Sequence, residues 1–152
     1  MTVYVMSIRP RWARLIASGR KTIEVRRGRT RFRDGDSLIV YETVGDGGRG
    51  ALIARVAITC ASTAAMGELS AIDLARACLD SETAAIYTGG RTATLLRLSV
   101  LATYDPVIDM APWRAQGWRP PQRWARADVA LPVAVRRHLG ELGRAARLAA
   151  AS

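Results

Sequence analysis

Lys21, Glu24 and Arg26 lie close together in the run Lys21-Thr22-Ile23-Glu24-Val25-Arg26 and carry three different chemistries. Lys21 is the only lysine in a chain that otherwise uses arginine twenty-two times. Arginine is a permanently charged planar fork, whereas lysine is a compact point charge that can lose its proton when its surroundings demand it. Near its reference pKa of about 10.4 a lysine is protonated and no base at neutral pH. Neighbouring Arg20, Arg9 or Arg26 would lower that value and Glu24 would raise it. Protonated, Lys21 can still stabilise charge developing on a phosphate without any metal. Glu24 can accept hydrogen bonds from a base edge, and Arg26 can pair with phosphate or stack on a base. A salt bridge between Glu24 and Arg26 that merely neutralises an interior accounts for the same two residues.

These side chains need a strand to aim them. From Lys21 the pattern has period two, with Ile23 and Val25 on one face and Thr22, Glu24 and Arg26 on the other. Val3 to Ser7 reads as a strand, and Pro10 opens a helix whose Trp12, Leu15 and Ile16 share a face and which Gly19 closes. Trp12 suits the core or a stacking surface. Asp34-Gly35-Asp36 is a turn into a strand over Leu38 to Glu42, near whose end Tyr41 offers a hydroxyl or ordinary packing. The glycines between Gly45 and Gly50 connect to a strand over Ala51 to Cys60. A helix is expected over Met66 to Leu79, a short turn over Glu82 to Tyr87, and a closing strand over Ala93 to Tyr104. The proline- and tryptophan-rich segment from Asp105 to Asp128 is too irregular for a long helix and packs back on the body. Leu131 to Leu148 projects as an amphipathic helix, its Arg136, Arg137, Arg144 and Arg147 falling within about 100° of one another.

The 152 residues suffice for one ordinary core. The net charge is +10, and Arg9 to Arg33 holds ten basic residues against the single acid Glu24. Such density favours a polyanionic partner, with nucleic acid the leading class. Cys60 and Cys78 form no CxxC pair and the only histidine is His138, too few for a zinc site. Both cysteines read as reduced core residues. The first residues lack the pattern of a signal peptide, and no apolar run approaches the roughly twenty residues that span a bilayer, so a cytoplasmic protein without membrane attachment is expected.

In order, the strand, basic helix, Gly19-Arg20-Lys21-Thr22-Ile23-Glu24-Val25-Arg26 run, Asp-Gly-Asp turn, hairpin and long strand resemble the ASCH family, a branch of the PUA-like barrels associated with RNA. The run looks like that family's GxKxxExR signature. SIRPRWARLIASG before it and DGDSLIVYET after it are similar to the flanking elements, and PPQRW is similar to a Pro-Pro-Gln-aromatic element of some relatives. The resemblance implies an α+β fold, a small PUA-like β-barrel with flanking helices. Residues 1–128 would form the domain, and residues 129–152 a C-terminal amphipathic helical extension of it.

The resemblance further implies a cleft holding single-stranded RNA or a nucleotide, with Lys21, Glu24 and Arg26 as its charged members. Arg9, Trp12, Arg20, Thr22 and Arg26 are the expected RNA-binding residues. No cofactor or metal is expected. Metal-independent ribonuclease activity, attributed to some relatives, would use Lys21 with Glu24 or Tyr41. An amidohydrolase acting on N4-acetylcytidine-like substrates is the alternative. Relatives with that activity carry a threonine three positions after the lysine, where this chain has Glu24, and a distant glutamate, for which Glu82 lies in the right region.

Overall fold

The computed structural model describes residues 1–151. Six strands form one mixed sheet: β1 (Val3–Ile8), β2 (Ile23–Arg27), β3 (Ser37–Glu42), β4 (Ala51–Ala65), β5 (Thr92–Asp109) and β6 (Trp124–Arg126). Their spatial order is β2-β5-β4-β3-β1-β6, with β1 and β3 parallel and the other pairs antiparallel. The sheet curls into a half-barrel, the α+β, PUA-like architecture. Three register shifts along the β4–β5 ribbon, after Leu52, Arg55 and Ile58, break its ladder. Such bulges bend a strand and raise its twist, which lets two long strands follow a curved surface.

Alternation sorts side chains between layers. Tyr4, Met6 and Ile8 of β1 and Leu38 and Val40 of β3 join the inner core, with Phe32 and with Ala13 and Ile16 of α1 (Pro10–Ala17). Val5, Ile39 and Tyr41 face outward into a second core. That core is covered by Met110, by Ala127 of α5 (Ala127–Ala130), by Leu131, and by Val135 of α6 (Val133–Ala150). A third cluster joins Ile23 and Val25 of β2 to Ala93 and Leu95 of β5, beneath Leu69, Ala77 and Leu79.

The expected elements are present, with altered bounds. Strand β4 runs five residues past Cys60, and β5 extends to Asp109. The helix expected over Met66 to Leu79 is a 3-10 turn (Met66–Glu68) followed by α2 (Ala71–Arg76). The expected turn after it is α3 (Ser81–Thr88). Ser70 and Asp80 start these two helices by accepting from the amides of Asp73 and Thr83. The irregular segment contains α4 (Ala111–Ala115) and β6, whose pairing with β1 is long-range and has no local periodicity to announce it. Cys60 and Cys78 are free but half-buried, not core. Among the described residues no helix is long and apolar enough to cross a membrane.

Candidate nucleic-acid interface

Lys21 is fixed by the end of α1. Gly19, at φ +75°, turns the chain where a Cβ would be strained, and the Lys21 amide then donates to the Leu15 carbonyl at 2.9 Å. Its side chain runs inward and is 3% exposed. The Nζ donates to the Ala77 carbonyl at 2.6 Å, lies 3.5 Å from Glu24 Oε2, and sits 5.2 Å from the centroid of the Trp12 ring. A compact ammonium meets three different neighbours here; a planar guanidinium has a rigid fork to accommodate. Burial pushes the Lys21 pKa down, and the Glu24 carboxylate works against that shift.

Glu24 and Arg26 share one face of β2, as their spacing requires. Arg26 Nε lies 3.0 Å from Glu24 Oε1, yet this buried N–H is not aligned for a hydrogen bond. Arg26 Nη2 reaches the Ser7 carbonyl of β1 at 3.4 Å. Glu24 is thus a buried carboxylate held between two cations, and removing either partner would leave buried charge unpaired.

These residues line a cleft of about 470 Å³, walled also by Ser7, Ile8, Arg9, Trp12, Thr43 and Leu79, and by Thr83 and Tyr87 of α3. Its size lies within the roughly 300–1,000 Å³ typical of small-ligand sites. Gln122 enters because the Ser7 hydroxyl donates to the Pro121 carbonyl at 2.6 Å and the Ser7 amide donates to the Arg123 carbonyl at 3.0 Å. Trp12 packs partly against the inner core while presenting its ring to the cleft, so it serves both of its sequence readings.

Of the expected site residues, the structure therefore brings together Lys21, Glu24, Arg26, Arg9 and Trp12. It does not bring Tyr41, Arg20 or Thr22. Tyr41 lies in the outer core, 1% exposed, against Trp118, and its hydroxyl accepts from Arg114 Nη1 at 3.2 Å. The cause is strand parity, which points Tyr41 away from the inner layer. Arg20 lies on the outside, in a shallow groove with Arg11, Arg14 and Cys78. Thr22 is tied by its backbone, its amide donating to Arg76 and its carbonyl accepting from Leu98, and its side chain does not line the cleft. Lys21 itself is at the cleft's floor, where its bonds to Ala77 and Glu24 occupy it, and not at the mouth. Glu82 is exposed on α3 and does not line the cleft.

Sequence reasoning assigned no role to Tyr87, Thr83, Thr43 or Gln122. Gln122 stood in PPQRW and Thr43 at the end of DGDSLIVYET, both quoted for the resemblance, while Thr83 and Tyr87 stood in the segment expected as a turn; packing between distant parts of the chain brings them to the cleft. Among the described residues no three His, Cys, Asp or Glu side chains gather as a metal cluster.

The structure is similar to that of the ASCH protein from Zymomonas mobilis, with a TM-score of 0.76 at 21% identity over 93% of this chain and 95% of that one. A tyrosine-to-phenylalanine variant of the Zymomonas protein also gives 0.76, at 20% identity over 93% and 99%. A protein from Enterococcus faecalis matches more partially, with a TM-score of 0.53 at 17% identity over 62% and 72%. At these identities the likeness is one of fold. No curated protein sequence matches the chain. The ASCH domain family model matches residues 6–91, more than half of the 152. With its signature residues Lys21, Glu24 and Arg26 on the floor and wall of one cleft, this chain belongs to the ASCH domain family.

Proposed function

We propose that the protein binds single-stranded RNA, holding one nucleotide in the cleft. The observation that carries this reading is the combination of a flat aromatic wall, Trp12, with a fixed carboxylate and a guanidinium, Glu24 and Arg26, in a cavity of nucleotide size. Single-stranded RNA is recognised by stacking unpaired bases on aromatic rings and by hydrogen bonds to their edges. Glu24 supplies acceptors for an amino or imino edge, Gln122 supplies both donors and acceptors, and Arg9 stands exposed at the mouth for the backbone. In this reading Lys21 positions Glu24 and compensates its charge.

The test is one time course with labelled mixed-sequence RNA in chelator, reading bound and cleaved fractions from the same samples for wild type, Trp12→Ala and Lys21→Ala. Wild type is expected to bind with marked salt dependence, and Trp12→Ala to bind about tenfold more weakly, as loss of one stacked base requires. A wild-type protein with neither affinity nor salt dependence would overturn the reading. Cleavage that disappears in Lys21→Ala would add metal-independent ribonuclease activity to it. The amidohydrolase alternative has less support, because the described Lys21 ammonium makes no hydrogen bond to any hydroxyl.

A further inference from the structure

A second cavity, of about 480 Å³, adjoins the first and shares Arg26 and Tyr87 with it. It lies in the open seam of the half-barrel, between the two edge strands: Arg26 and Arg27 come from β2, and Arg123 and Trp124 from the segment entering β6. Arg29 and Thr30, just beyond β2, complete it. Four guanidiniums face this space and no carboxylate lines it.

The arginines divide by occupation. Arg27 donates twice to the Tyr87 carbonyl, at 3.0 and 2.6 Å, and so anchors α3. Arg26 is committed to Glu24 and Ser7. The side chains of Arg29 and Arg123 have neither a hydrogen bond nor an ion pair among the described residues, and both are exposed. Thr30 Oγ1 is buried without a hydrogen-bond partner, whereas Arg26 Nε, though not aligned for a hydrogen bond, lies against Glu24 Oε1. Buried polar groups are ordinarily satisfied, so a hydroxyl with no protein partner, beside two unpaired guanidiniums in a cavity that no carboxylate lines, suits an anionic ligand. A tetrahedral oxyanion meets these demands at once: guanidinium forks pair with it bidentately, a hydroxyl donates to it, and its charge relieves the repulsion among the arginines.

We infer that this seam cavity is a phosphate subsite, and that it takes the backbone phosphate of the nucleotide next to the one whose base lies in the cleft. The inference rests on the RNA reading of the cleft. Its consequence is selectivity for the ligand's chemical class. A base reaching the cleft with its adjoining phosphate in the seam engages both cavities, whereas a free nucleoside leaves Arg29, Arg123 and Thr30 unpaired. The site therefore selects phosphodiester-linked or phosphorylated nucleotides over nucleosides.

The experiment compares wild type, Arg29→Ala/Arg123→Ala and Trp12→Ala. The probes are a short single-stranded oligoribonucleotide, the corresponding free nucleosides and inorganic pyrophosphate, titrated at several salt concentrations with the arginine Nε–H signals followed by NMR. Wild type is expected to prefer the oligonucleotide over nucleosides by at least tenfold. The double variant should lose most of that preference and show a salt slope shallower by about 0.7, the value for one phosphate no longer neutralised on a single strand. Pyrophosphate should shift the Arg26 Nε–H signal in wild type but not in the double variant. Unchanged oligonucleotide affinity and slope in the double variant would overturn the subsite while Trp12→Ala still tests the cleft. If wild type binds pyrophosphate in the seam but no RNA, the cleft reading falls and the backbone-phosphate assignment falls with it, leaving a site for free phosphate.

Discussion

At the scale of single residues, two buried glutamates are each flanked by a pair of cations. Glu24 sits between Lys21 and Arg26 in the cleft. Glu42, whose side chain is 0% exposed, sits between Arg14 and Arg49 at the start of the glycine-rich hairpin. Burial pushes the Glu42 carboxyl up, but hydrogen bonds from Arg49 and Arg14 outweigh it and hold the group down at about 2, from an ordinary 4.5. A carboxylate whose folded pKa is depressed contributes stability that is complete above its unfolded value and is lost as pH falls through the folded one. The window is therefore pH 4.5 down to 2. Glu42→Gln is expected to lower stability at pH 7 by about 2–3 kcal/mol, with the difference from wild type closing across that window. Denaturant titrations at pH 7, 4 and 2.5 would check it, and a constant difference at all three would remove the ion cluster as the cause.

At the scale of elements, the hairpin from Gly45 to Gly50 connects β3 to β4 and packs against the start of α1. A Cβ at Gly48 would stand 2.5 Å from Pro10 Cγ and closer still to the Thr43 carbonyl, so backbone must move to admit it. At Gly45 a Cβ meets nothing within 4 Å. Gly48→Ala should thus cost about 2–3 kcal/mol by forced displacement, against a few tenths for Gly45→Ala. Thermal melts of the two variants side by side would decide; equal melting temperatures would mean the loop absorbs the methyl group. Thr43 also lines the cleft and Pro10 follows Arg9, so the same displacement reaches the site.

At the scale of the whole molecule, α6 is a structural cover. Leu131 and Val135 are buried over Val5, Ile39 and Tyr41, Leu139 packs beside them, and Trp118 Nε1 donates to the Ala130 carbonyl at 2.7 Å. Its arginines lie on exposed faces. Truncation after Asp128 uncovers this outer core. Each buried aliphatic side chain contributes roughly 1.5–3 kcal/mol, so losing Leu131 and Val135 removes much of a domain's usual margin. The truncated chain is expected to melt at least 10 °C lower or to lose its cooperative transition by circular dichroism; a wild-type melt would show that the helix is dispensable.

Local pattern determined a good deal by itself. The period-two run through Ile23, Glu24, Val25 and Arg26 placed two charges on one strand face, Pro10 and Gly19 bounded α1, and the signature carried Lys21, Glu24 and Arg26 together, because such features depend only on neighbours along the chain. Tertiary structure alone decided the rest. It buried the Lys21 ammonium against the distant Ala77 carbonyl, turned Tyr41 to the opposite layer through strand parity, and carried Gln122 to the cleft and Arg123 to the seam by pairing β6 with β1. Those outcomes depend on which strands meet and in what register, and residues a hundred positions apart leave no periodic trace of their contact.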